Sequence, residues 1–243
     1  GMFYEACPEA FECRPGNIRS EKFPYLRNVV FMGEIIYNGM YRWSEMIEMG
    51  KMISDSELKD REDSVEFDDA LNIQYTSGTT ADPKGAMLSH ANLMANAAQG
   101  RAWIPGLRMG KETVYGVLPM FHAYGLTLSL TFAMSIGAKL VLFPKFDVDL
   151  VLKAAKKTPP TFLPAVPPIY DRIVAGAEKQ GISLKGVRFA ISGAMNLPAA
   201  TVDAWEKATG GYLIEGYGLT ETSPVALGNP MGPTRKAGTV GVP

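Results

Sequence analysis

From Ala70 onward, short β-branched or apolar runs alternate with longer stretches at helical spacing, and this alternation restricts the fold more than any other feature of the chain. The runs expected as strands are Asn72 to Tyr75, Thr113 to Leu118, Lys139 to Phe143, Thr161 to Leu163, Val187 to Ile191 and Tyr212 to Glu215. Between them, Ser89 to Gln99, His122 to Ser135, Asp147 to Lys157, Pro167 to Gln180 and Pro198 to Ala208 read as helices. Ser89 and Asp147 suit N-caps, and Pro167 and Pro198 suit the first helical turn, where a missing N–H costs nothing. Strand and helix repeated in this order imply an α/β fold, a mainly parallel sheet flanked by helices. Ligands of such sheets gather where the strands end.

Residues 1–69 follow a different pattern. Val29 to Met32 reads as a strand, Ser44 to Lys51 as a helix, and Asp55 to Asp69 as an acidic connector. Lys59 and Arg61 are interleaved in that connector, which argues for a solvated stretch rather than a metal site. The expected organisation is therefore a partial N-terminal segment and connector over 1–69 and a nucleotide-binding core over 70–243.

Composition narrows the function classes. With 24 basic and 25 acidic residues, no global field recruits nucleic acid or an anionic membrane. Cys7 and Cys13 match neither a CxxC redox pair nor a paired zinc knuckle, and read as free thiols of a reducing, cytoplasmic setting, with a disulfide as the alternative. The N-terminus lacks the basic-then-apolar order of a signal peptide. The longest apolar run, Leu126 to Ala138, is too short to span a bilayer and reads as a buried helix, so no integral membrane segment is expected.

Four motifs carry chemistry. YTSGTTADPKG, Tyr75 to Gly85, lies between an expected strand and an expected helix. Its Gly78 and Gly85 let backbone approach an anion. Thr76, Ser77, Thr79 and Thr80 offer hydroxyls, and Lys84 adds a positive charge. The spacing is not that of the common P-loop, because Pro83 stands where its second glycine would be and Gly85 replaces the hydroxyl residue after lysine. EGYGLTE, Glu215 to Glu221, offers Tyr217 between Gly216 and Gly218 as a flat surface for a purine. Thr220 can bond a phosphate oxygen and Glu221 can hold a hard cation. SGAMNL, Ser192 to Leu197, could seat a planar base, and LPMFHAYG, Leu118 to Gly125, puts His122 and two aromatics just beyond a strand. Each has a plainer reading as a turn or a packed aromatic, and His122 and His90 as structural histidines.

In this order the four motifs resemble the adenylate-forming superfamily of acyl-CoA synthetases, peptide-synthetase adenylation domains and firefly luciferase. LRNVVFMGE, GMYRWSEMIEMGK and DDALNIQYTSGTT extend the resemblance to the fatty-acyl-CoA synthetase branch, over nearly the whole chain. The resemblance implies part of the large N-terminal domain of such an enzyme. There a fatty carboxylate attacks the α-phosphate of MgATP to give acyl-AMP and pyrophosphate, and coenzyme A then captures the acyl group. It places Thr76, Ser77, Gly78, Thr79, Thr80 and Lys84 at the phosphates, and Gly193, Ala194, Met195, Glu215, Gly216, Tyr217 and Gly218 around the adenine. Thr220 would touch the α-phosphate and Glu221 would take magnesium. His122, Tyr124 and Gly216 would shape the acyl pocket, and Thr220, Glu221, His122 and Lys84 would carry the catalysis.

The chain departs from the family at Ala81–Asp82 and at Met195–Asn196. It matches neither the family's ribose-binding aspartate nor its C-terminal domain with a catalytic lysine, so the segment alone is expected to be inactive or nearly so. An aryl-acid or amino-acid adenylating enzyme, and a nucleotide-binding module without catalysis, remain alternatives.

Overall fold

Five of the runs expected as strands enter one sheet, and the sixth does not. In the computed structural model, which describes residues 1–76 and 82–243, the chain forms two compact units, Gly1–Val65 and Glu66–Pro243. The first unit holds a parallel pair of short strands, β1 (Val30–Phe31) and β2 (Tyr41–Arg42), over a small core of Cys7, Ala10 and Ile18. Both cysteines are free thiols. A helix at Trp43–Gly50 precedes another at Asp55–Asp63, where a connector was expected. The second helix is solvated, with no buried residue, but it is ordered by local bonds. The Ser54 hydroxyl accepts from the Glu57 amide at 3.2 Å, and Glu57 accepts from the Ser54 amide at 2.9 Å.

In the second unit, β3 (Ala70–Thr76) turns back on β4 (Lys84–Ser89) as an antiparallel hairpin with Thr76 opposite Lys84. The run at Asn72 to Tyr75 thus stands apart from the parallel sheet. The reason is length: a parallel crossover needs a dozen or more residues, and the next strand begins too soon. Lys84 and Gly85 accordingly belong to a strand rather than to the loop in which they were placed.

The main sheet has six strands in the order β10-β9-β8-β7-β5-β6. These are β5 (Thr113–Gly116), β6 (Lys139–Leu142), β7 (Phe162–Ala165), β8 (Phe189–Ser192), β9 (Tyr212–Gly218) and β10 (Val225–Gly228). All neighbours run parallel except β10, an antiparallel edge on β9. The expected α/β architecture with a mainly parallel sheet is the one observed.

Alternate residues along each strand bury into opposite layers. Tyr115, Leu163, Ala190 and Leu213 join the core beneath the helices Val148–Lys157, Pro167–Gln180 and Ala199–Thr209. Their neighbours Val114, Phe162, Phe189 and Ile214 join Phe132, Ala133 and Ile136 on the other face. Both faces are covered, which is why the strands read as continuous apolar runs.

The expected caps form. Ser89 Oγ accepts from the Asn92 amide at 3.3 Å, and Asp147 Oδ1 accepts from the amides of Asp149 and Leu150. Pro167 occupies the first turn of its helix, and Pro198 stands one place earlier, as N-cap. The apolar stretch after His122 is helical and largely buried, with a π-helical segment at Leu126–Thr131. Among the described residues no helix is long and apolar enough to cross a membrane.

At the amino end of the sheet, the fully buried Glu112 carboxylate accepts from the Arg108 amide at 2.7 Å and pairs with the Arg188 guanidinium. Burial pushes this carboxyl up, but the Thr161 hydroxyl, the Arg108 amide and the Arg188 guanidinium together hold it below its ordinary value of 4.5. Glu112 therefore stabilises the fold fully above the usual carboxylate range, and the contribution fades as pH falls through the lowered folded-state pKa. Glu112→Gln is expected to cost about 2 kcal/mol at neutral pH in urea unfolding. The gap between variant and wild type should close as the pH is taken well below 4.5.

Candidate active site

The order of strands sets where a site can form. The chain leaves β5 for the edge strand β6, then returns across β5 to β7, so the connections after β5 and β7 part to opposite sides. β5 and β7 share one residue pair, Val114 with Phe162, before diverging. A crevice at the carboxyl ends of the strands, beside such a reversal of order, is the usual ligand position in open α/β sheets.

The segment after β5 brings His122 and Tyr124 to this end. His122 caps the short helix Ala123–Gly125, its Nδ1 accepting from the Tyr124 amide at 3.1 Å. That bond leaves Nε2 to carry the proton, on a side chain exposed to solvent. Tyr124 is buried, and its hydroxyl faces the carbonyl oxygens of Ala165 and Ile191 at 3.0 and 2.5 Å. It can offer a ligand the edge of its ring, while its hydroxyl serves the main chain.

The ends of β8 and β9 lie side by side, with Ser192 opposite Glu215. Beyond Ser192 the chain passes Gly193 and turns at Ala194, which has a left-handed φ of 65° uncommon for a residue with a side chain. A β-carbon built on Gly193 would lie 3.5 Å from the Tyr124 ring and 3.6 Å from the Gly216 carbonyl oxygen, which brings these three residues together. Met195 is 54% exposed and Tyr217 47% exposed, which leaves apolar surface for a planar ligand. β9 runs past the expected end at Glu215, so Gly216 to Gly218 belong to the strand itself. Glu215 is buried; one oxygen accepts weakly from the Leu197 amide at 3.4 Å, while its Oε2 and the Ser192 Oγ find no partner among the described residues. Two unsatisfied buried polar groups side by side are costly in a finished core and natural in a site awaiting a polar ligand.

After Gly218 the chain makes a short turn, Thr220–Thr222, and this turn lies against β4. The contact brings Thr220 and the exposed Glu221 to the hairpin whose last strand opens with Lys84. Thr76 and Lys84 close the hairpin end, the Thr76 hydroxyl facing the Lys84 carbonyl at 3.5 Å. Among the described residues, neither Lys84 nor Glu221 pairs with another side chain. Ser77, Gly78, Thr79 and Thr80 lie outside the described residues.

Three residues not anticipated from the sequence fix this arrangement. The buried Asn96 carboxamide donates to the Val225 carbonyl at 2.8 Å and accepts from its amide at 3.2 Å. The Thr127 hydroxyl donates to the Ser223 carbonyl at 2.9 Å. Asn229 donates to the Glu215 carbonyl from its amide at 3.1 Å and accepts the Lys236 amide at 2.9 Å. Asn96 and Thr127 thus tie Val225 and Ser223 to the helical segments that carry them, and Asn229 ties the residue after β10 to β9. With hydroxyls, a lysine and a carboxylate on the hairpin and the turn, and an exposed aromatic two residues beyond the buried Glu215, the site has the parts to bind a polyphosphate and a base.

The profile of a family described as AMP-binding enzyme matches residues 23–243. The chain is 41% identical over 175 residues to a long-chain-fatty-acid–CoA ligase of Bacillus subtilis (strain 168), covering 72% of this chain and 31% of that protein. Its fold matches the crystal structure of the anthranilate CoA ligase AuaEII in complex with anthranoyl-AMP at a TM-score of 0.76 and 26% identity, over 91% of this chain and 42% of that one. ATP-bound MatB from Rhodopseudomonas palustris matches at 0.61 and 32% identity, over 74% and 35%. The chain thus spans about a third of the length of the curated relative it matches.

The turn against β4 depends on the backbone at Gly218, where an added β-carbon would fall 2.0 Å from the Pro224 carbonyl oxygen. Gly218→Ala is expected to lower stability by roughly 2 kcal/mol in thermal or urea unfolding, because main chain must shift to admit the methyl group. A neutral substitution would mean that the crossing of Gly218 over Pro224 is not as described.

Proposed function

Because the chain belongs to the AMP-binding enzyme family, we propose that it supplies the nucleotide-binding core, residues 70–243, of an acid–thiol ligase that activates a fatty carboxylate with ATP and passes it to coenzyme A. The observation that carries this reading is the packing of the Thr220–Thr222 turn against β4, which sets the hydroxyl and carboxylate of EGYGLTE beside the hairpin of YTSGTTADPKG. In the first half-reaction a carboxylate oxygen forms a bond to the α-phosphorus and pyrophosphate leaves. In the second, the thiol sulfur attacks the acyl carbonyl and AMP leaves.

Thr76, Ser77, Gly78, Thr79, Thr80 and Lys84 would hold the β- and γ-phosphates, with Lys84 offsetting charge that moves onto the leaving pyrophosphate. Thr220 would steady the α-phosphate. A single exposed carboxylate beside phosphate oxygens suits magnesium, so Glu221 would hold that ion, which neutralises phosphate charge when bound. Tyr217 would stack on the adenine, with Gly193, Ala194 and Met195 as its other wall and Glu215, Gly216 and Gly218 along its edge. His122, with its Nε2 proton directed outward, would donate to the carboxylate or the adenylate at the crevice mouth. The Tyr124 ring and Gly216 would bound the acyl chain. Most of the rate would come from position and charge rather than proton transfer.

The fatty substrate rests on the name of the B. subtilis relative. An aryl acid is the second reading, favoured by the match to an enzyme holding anthranoyl-AMP. Exchange of pyrophosphate into ATP, assayed on the full-length polypeptide with a ladder of fatty and aryl acids, separates the two. Fatty-acid-dependent exchange is expected, and dependence on aryl acids alone would replace the fatty reading. Glu221→Gln should lower the exchange by roughly 100-fold. Residues 1–243 assayed alone should show none, and robust exchange by them would contradict the assignment of further catalytic groups to the rest of such an enzyme.

A further inference from the structure

Beneath the turn at Gly193 to Met195 lies a buried polar cluster that the nucleotide site does not account for. Pro164 sits inside β7 and pairs with Ile191 of β8, yet it has no N–H to give the ladder. Two tyrosine hydroxyls from separate elements enter at this level. Tyr124, after β5, faces the carbonyl oxygens of Ala165 and Ile191. Tyr170, on the helix after β7, faces those of Leu163 and Ile191 at 2.9 and 2.7 Å. Each hydroxyl carries one proton, so two protons serve three carbonyls, and Ile191 is the acceptor that both reach. Burial holds both phenols far above their ordinary range, so they remain donors at any pH the fold survives. The Tyr170 ring is itself fixed, edge-on to the fully buried Trp205 at 4.7 Å between centroids.

Ile191 is the last residue but one of β8, and the chain turns at Ala194 with its left-handed φ. The Ile191 carbonyl therefore lies one residue before the end of the strand and three before the turn at Ala194. We propose that Tyr170 is a positioning residue for the nucleotide, acting with Tyr124 through the Ile191 carbonyl to fix the peptide from which Gly193, Ala194 and Met195 are displayed. The link to nucleotide rests on the reading of this turn as an adenine wall; the anchoring itself does not. Loss of one hydroxyl removes one of the two side-chain donors that converge on the Ile191 carbonyl, which holds the main chain there less firmly.

Tyr170→Phe tests this, since it keeps the ring and its packing on Trp205. Tyr115→Phe is the control. Tyr115 is equally buried, and its hydroxyl donates to the Thr158 carbonyl at 2.7 Å, at the opposite end of the sheet from the turn. Both variants should lower the melting temperature to a similar extent. In amide hydrogen exchange by mass spectrometry, Tyr170→Phe should speed exchange in the peptide covering Ser192 to Asn196 about tenfold, and Tyr115→Phe should leave it unchanged. Calorimetric titration with ATP should show about a tenfold loss of affinity for Tyr170→Phe alone. Unchanged exchange, or equal acceleration by both variants, overturns the proposal. Faster exchange with unchanged ATP affinity overturns the link to nucleotide. Absence of ATP binding by the wild-type chain, with the exchange result intact, overturns the adenine-wall reading and leaves the anchoring by Tyr170 standing.

Discussion

β5 and β7 run together for one residue pair, Val114 with Phe162, and the chemistry assigned to this chain depends on their parting beyond it. Parallel strands need crossovers of one hand, so a chain that steps from β5 to the edge and back must place successive helices on opposite faces. Phe132 and Ala133 accordingly pack on one face, and Leu152 on the other. At the carboxyl ends Tyr124 reaches the main chain of both β7 and β8.

On that base the surfaces proposed for the nucleotide are built from pieces distant in the chain. The hairpin β3–β4 and the Thr220–Thr222 turn are joined by packing, and the chain after the turn is tied to its neighbours by Thr127, Asn96 and Asn229. Ser192 Oγ and Glu215 Oε2, which find no partner among the described residues, belong to a pair of opposed residues of β8 and β9 at the end of the sheet proposed to hold the base. At the amino end of the sheet Glu112 Oε1 pairs with Arg108 and Arg188, while Glu112 Oε2 and Arg188 Nε find no partner among the described residues.

How much of this was legible in the sequence depended on the range of the forces involved. Ser89 and Asp147 could be read as caps because their bonds close within three residues. The parallel strands β5, β7, β8 and β9 were legible because burial on both faces makes each an apolar run, and the edge strand β6 because its Leu140 to Leu142 are apolar and β-forming. β4 was not, because KGAMLS mixes small and charged residues and one of its faces is open to solvent. The short edge strand β10, directly after Pro224, gave no run to read. Asn96 and Thr127 were invisible, since their partners lie 129 and 96 residues away. Tyr170 lies within the expected helix Pro167 to Gln180, and only the fold brings its hydroxyl to Ile191. The motif residues were legible as types, but the extension of β9 past Glu215 through Gly216 to Gly218 was not.

The central claim is that one end of the sheet binds a nucleotide through residues drawn from the hairpin, the end of β8 and the end of β9. Titration of isotopically labelled protein with ATP, followed by amide chemical shifts, tests it most directly. The account predicts saturable shifts at Thr76, Lys84, Gly193 to Met195 and Gly216 to Glu221, with Glu112 and Arg188 unmoved. Shifts centred on the Glu112 end, or none at saturating ATP, would contradict it.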